Sequence, residues 1–150
     1  MSLQQWLANS WIQSVEPSAQ EIRNLLDIAD REIADGSLEG ISPDGRFEHA
    51  YSAVRSLCDA ALHTSGYTVP KGSRQHERTI ESLKFTLDAE WVEDADYFDQ
   101  CRRRRHQSLY ERSDVTQAPD ADELLARAKR LLSAVREWLQ RERPHLVRET

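Results

Sequence analysis

Between Ser42-Pro43 and Gly66 the apolar residues fall at Phe47, Ala50, Tyr51, Val54, Leu57, Cys58, Ala61 and Leu62. Steps of three and four set them along one stripe of an α-helix, and no strand accommodates that rhythm. Pro43 suits a first helical turn and Gly66 a stop. Such a helix cannot bury its stripe alone, so the chain must supply partners of the same kind.

It does. Ser18 to Glu21 reads as a capping box, followed by Ile22, Leu25, Leu26, Ala29 and Ile33, with Gly36 as the stop. Ser73 caps a stretch carrying Ile80, Leu83 and Leu87, and Trp91 opens another that runs to about Leu109. Asp120 to Glu123 caps the last, with Leu124, Leu125, Ala128, Leu131, Leu132, Val135 and Leu139 on one side and Pro144 as its end. Leu3, Trp6 and Leu7 begin a short helix extending to Trp11 and Val15. Residues 66–73 and 113–119 read as loops, and no strand alternation is found. The expectation is an all-α fold: an up-and-down four-helix bundle with an extra short N-terminal helix, forming one domain over the 150 residues.

Several function classes fall away. A net charge of −6 argues against a general nucleic-acid coat, although a local basic site can still hold phosphate. No apolar run approaches a membrane span, and the first residues lack the basic and apolar regions of a signal peptide. Cys58 and Cys101 lie within helical patterns and read as buried, reduced thiols, so a cytoplasmic location is expected. The histidines His49, His63, His76, His106 and His145 are dispersed, without His-Glu-x-x-His or Cys-x-x-Cys, and read as surface or capping groups. No metal and no cofactor is expected. A Gly-rich phosphate loop and a nucleophile elbow are also missing.

The run Arg102-Arg103-Arg104-Arg105-His106 is the candidate that remains. The stripe Trp91, Ala95, Phe98 continues through Arg102, Arg105 and Leu109, which places two guanidinium groups at core-facing positions. A guanidinium stays charged, so each needs a carboxylate, an anion or a water-filled cleft. Internal salt bridges, with Glu48 and Asp59 as possible partners, and phosphate binding both meet that need. Arg103 and Arg104 read as a solvated face, and Asp99 is placed to pair with Arg103.

Several features now stand in a recognisable order. A helix from Arg46 ends in Gly66-Tyr67, a loop leads to the helix start Gln75-His76, and an arginine-rich helix ends in Leu109-Tyr110. Over roughly residues 18–140 this resembles the HEPN superfamily, small helical bundles linked to nucleotide and RNA binding. The resemblance implies a homodimer with the arginine helices meeting across it. It also implies metal-independent ribonucleases of toxin–antitoxin and phage-defence systems. Their signature is Arg, often a polar residue, then His after roughly four to six intervening residues. The Arg would hold phosphate while the His moves protons.

Here that register is broken. With Arg105 in the Arg slot, His106 takes the polar slot and Tyr110 stands where His belongs. With His106 as the proton carrier, Cys101 holds the first admissible Arg position and Arg102 is one residue too close. A phenol with a pKa of about 10 is a poor base at neutrality. The sequence therefore points to an RNA- or nucleotide-binding HEPN-like protein that does not cleave. Arg102, Arg105, His106 and Tyr110 would bind phosphate, and His106 and Tyr110 are the only candidates for catalysis. Such a protein would be accessory to a toxin–antitoxin or phage-defence module, with an antitoxin or nucleotidyltransferase as partner. The alternatives are a metal-independent ribonuclease toxin and a structural protein–protein interaction module with no ligand.

Overall fold

A computed structural model describes the backbone of residues 1–110 and 116–147, and the side chains of 1–105 and 116–147. In chain order the elements are α1 (Leu3–Ala8), β1 (Gln13–Ser14), α2 (Ala19–Gly36), α3 (Pro43–Thr64), β2 (Tyr67–Thr68), α4 (Gln75–Glu81), α5 (Leu83–Thr86), α6 (Val92–Tyr110) and α7 (Ala118–Glu142). Short 3-10 turns cover Ala89–Trp91 and Pro144–Leu146. The fold is all-α, with β1 and β2 forming an antiparallel pair of two residues each.

Helix α3 is the centre of the molecule. It packs along α2 and α7 and also meets α4, α5 and α6. Its stripe is buried throughout, with Phe47, Tyr51, Val54, Leu57 and Cys58 at 2% exposure or less. Ile22 and Ala29 of α2, Phe98 of α6, and Leu124, Leu131 and Leu139 of α7 close over it. At the end of α2, the Arg46 guanidinium of α3 donates to the carbonyls of Gly36 (2.9 Å) and Leu38 (3.1 Å), and to Asp122 (2.8 Å). One side chain thereby satisfies carbonyls at and beyond the helix terminus and ties α2, α3 and α7 together.

A second, smaller core lies at the N-terminal end. Trp6, Ile12, Leu62 and Val69 are buried there, and Leu3, Trp11, Tyr67 and Phe85 pack against them. The N-terminal helix does not extend to Trp11 and Val15 but stops at Ala8. Ser10 adopts the left-handed conformation at φ 62°, and the Trp11 N–H donates to the Trp6 carbonyl at 2.9 Å. That turn frees residues 13–14 to pair with 67–68, a match the sequence conceals because two residues are too few to show alternation. Gly66, at φ 97°, turns the chain out of α3 into β2.

Other boundaries also differ from expectation. Ser18 caps α2 through its hydroxyl, which accepts from the Glu21 N–H at 3.1 Å, but its own N–H donates to His63 Nε2 at 3.0 Å. The imidazole thus takes the place of the expected Glu21 carboxylate in the box, and the reciprocal capping box is found instead at Ser2 and Gln5. The helix expected from Ser73 starts after Arg74 and is split at Ser82, whose hydroxyl donates back to the Thr79 carbonyl at 2.6 Å. Helix α7 begins before Asp120, with Pro119 inside its first turn, where a missing N–H costs nothing. Among the described residues no helix is long and apolar enough to cross a membrane.

Candidate anion site between α3, α4 and α6

Glu48, Tyr51 and Arg55 follow one another at steps of three and four along α3, a polar seam beside its apolar stripe. Helix α6 lays Arg105 against this seam. The Arg105 Nε donates to both Glu48 oxygens, at 3.0 and 2.8 Å, and its guanidinium carbon stands 5.0 Å from the Tyr51 ring centre. Helix α4 brings His76 to the same place. Its Nδ1 lies 3.2 Å from the Tyr51 hydroxyl, and its Nε2 is in contact with the Arg55 guanidinium.

These contacts fix the tautomer. A guanidinium only donates, so His76 Nε2 must accept from Arg55 and the ring proton sits on Nδ1. Nδ1–H then donates to the Tyr51 oxygen, leaving the phenol hydrogen to be directed elsewhere. Among the described residues no acceptor for that hydrogen is found, although Tyr51 is 1% exposed. Protonating His76 would set a second N–H against Arg55. Burial, and then the charges of Arg55, Arg105 and Arg102, push the imidazole down to about 4. Burial also raises the Tyr51 phenol well above its ordinary value, against the pull of Arg105, Arg55 and Arg102.

Arg55 is half-buried, and among the described residues no carboxylate lies within salt-bridge distance of it. Asp59 lies one turn on along α3, and burial lifts it to about 6 against the pull of Arg55. Glu21 of α2 adds to that rise. The cluster therefore joins three guanidinium groups and a neutral imidazole to Glu48 and Asp99, and Asp99 is shared.

Arg102 does not occupy the core-facing position expected of it. The buried line runs from Trp91, just before α6, through Ala95, Phe98 and Cys101, so the thiol takes the inward place and Arg102 stands at the boundary. There its Nε donates to Asp99 of its own helix at 2.8 Å, while Asp99 also receives Arg103 at 3.0 Å. Arg104 pairs with Asp120 at 3.3 Å. Of the two acids the sequence offers as partners, Glu48 engages Arg105 and Asp59 engages neither Arg102 nor Arg105. His106 and Tyr110 fall outside the residues whose side chains are described.

Sequence reasoning places Tyr51 on the apolar stripe and His76 at a helix start, and gives Arg55 no part. The signal was the spacing Glu48, Tyr51, Arg55, which repeats the helical period along the border of the hydrophobic stripe. The thiols offer no second centre. Both are buried and free, and burial raises Cys58 far above its usual value and Cys101 to about 11. Among the described residues no group of three metal-ligating side chains is present. No protein-family model, no curated protein and no solved structure matches the chain.

Proposed function

We propose that the chain binds a phosphate group of RNA or of a nucleotide at the cluster of Tyr51, Arg55, His76, Arg102 and Arg105, and does not cleave it. One observation carries this reading: a half-buried guanidinium, Arg55, is spent on a neutral imidazole rather than on a carboxylate. A charge kept in that setting with no carboxylate in direct contact, Asp59 acting on it only from one turn away, favours an anion beside it. Arg55, Arg105 and the unused phenol hydrogen of Tyr51 are donors of the kind that phosphate oxygens accept. The HEPN resemblance points to the same ligand. A place in a toxin–antitoxin or phage-defence module, and a homodimer, rest on that resemblance.

Proton chemistry at this cluster supports binding over cleavage. A base of pKa about 4 removes protons poorly at neutral pH, and the Tyr51 phenol stays protonated. A second reading, a structural interaction module, is favoured by the Arg105–Glu48 and Arg102–Asp99 ion pairs, which neutralise both arginines internally.

Titration with inorganic phosphate, followed through the His76 ring resonances, separates the two. The binding reading expects saturable shifts and at least tenfold weaker binding in Arg55→Gln, the loss of one charged hydrogen bond. Absence of saturation would leave the structural module. RNA cleavage that His106→Ala abolishes would overturn the non-cleaving assignment.

A further inference from the structure

On the far side of α4 from His76 lies a groove that the phosphate cluster does not use. Trp6, Trp11 and Phe85 form its aromatic wall, Trp6 meeting both others edge to face, with ring centres at 5.8 Å for Trp6–Trp11 and 5.3 Å for Trp6–Phe85. Arg78 lies over the Trp11 ring, its guanidinium carbon 4.8 Å from the ring centre. Among the described residues no carboxylate forms an ion pair with Arg78, and Arg74 reaches Glu77 only at 3.9 Å. The groove holds ≈ 310 Å³, within the size range of ligand clefts at about 300–1,000 Å³. Arg74 and Arg78 also line an adjoining hollow of ≈ 220 Å³ with Lys71 and Ser10. Ser10 holds the left-handed turn that sets Trp11 beside Trp6, a conformation that few residues other than glycine adopt.

We propose that this groove takes a base of single-stranded RNA, with Lys71 and Arg74 holding the adjacent phosphates. The inference rests on the phosphate-binding reading in one respect: the two sites flank α4, so a continuous strand can engage both. That names the ligand as an oligonucleotide rather than a mononucleotide. Single strands are bound by aromatic faces and guanidinium planes on which bases stack, beside cations that track the backbone. Trp11 and Arg78 supply the stack, and Lys71 and Arg74 line the hollow beside it. Glu77 and Glu81 also line the groove, and their carboxylates can accept from the exocyclic amino group of adenine or cytosine.

The test is fluorescence anisotropy of a labelled oligoadenylate of about ten nucleotides, the size range of single-strand sites. It is run on the full chain, on Trp11→Leu, on Trp11→Phe and on Arg78→Gln, with far-ultraviolet circular dichroism to check folding. Trp11→Leu and Arg78→Gln are expected to lower oligonucleotide affinity by roughly tenfold each, the scale of one lost stack. Inorganic phosphate binding at Arg55 should not change in either. Indole emission should be quenched by the oligonucleotide in the full chain and less so in Trp11→Phe. Unchanged oligonucleotide affinity in Arg78→Gln and Trp11→Leu overturns the groove, while the phosphate reading stands on its own titration. Equal affinity for adenosine monophosphate, or equal competition by an acidic peptide, overturns the oligonucleotide assignment. Loss of phosphate binding alone, with the Trp11 effect intact, removes the cluster and not the groove.

Discussion

His76 and Asp59 titrate in opposite senses within one region of α3 and α4, and this gives the site a measurable signature. His76 falls from an ordinary value of 6.5 to about 4 on folding, so between those values the unfolded chain binds more protons. Its contribution to stability is complete above about 6.5 and is lost as pH falls toward 4. Asp59 rises from 3.8 to about 6, so its contribution is complete below 3.8 and is lost as pH rises through 6. In the overlapping window the two slopes oppose. Urea denaturation from pH 4 to 7 should give a shallow profile for the full chain. His76→Gln should become more stable on acidification over that window, and Asp59→Asn less stable. Matching profiles in the two variants would contradict the contacts drawn around His76. None of this was legible from the chain, where His76 and Asp59 are an isolated histidine and an acid on different segments. Only the packing of α4 against α3 makes their environments comparable.

At the level of elements, α6 is held by charge at several points, two of which are set among aromatic rings. Near its start Asp94, at 8% side-chain exposure, accepts from Arg127 (3.0 Å) and Arg130 (2.7 Å) of α7. Arg127 lies 3.9 Å over Tyr97 and Arg130 5.2 Å over Trp91. Farther along, Arg105 reaches Glu48 of α3. Both points lie where α6 meets another helix and so carry more than a surface pair does. A double-mutant cycle with Glu48→Gln and Arg105→Gln should return a coupling of about 1–2 kcal/mol, between the values for exposed and buried pairs. The pair Asp99–Arg103, with the arginine 66% exposed, should return about 0.5 kcal/mol or less. Equal couplings would place Arg105 on an ordinary solvated face. The long helices α2, α3 and α7 were readable because their stripes hold for several turns. The break at Ser82 and the early start at Pro119 were not, because both depend on local hydrogen bonding that periodicity does not register.

For the whole molecule, the distribution of charge matters more than its sum. The chain carries −6, yet Arg55, Lys71, Arg74, Arg78, Arg102 and Arg105 gather on and around α4, and Arg55, Lys71 and Arg78 form no ion pair among the described residues. The arginine run advertised this side of the protein in the sequence. Its partners on α3 and α4 came only with the fold, since they lie far from it along the chain. An acidic body with a few local cations binds an anionic ligand through few contacts, and its affinity should depend on salt to a correspondingly limited degree. The most direct measurement is the affinity for single-stranded RNA across a range of salt, in the full chain and in Arg55→Gln. Binding by phosphate contact predicts a straight line of log affinity against log salt whose slope shrinks by about 0.7 in the variant, one contact fewer. A flat line, or the same slope in both proteins, would contradict it.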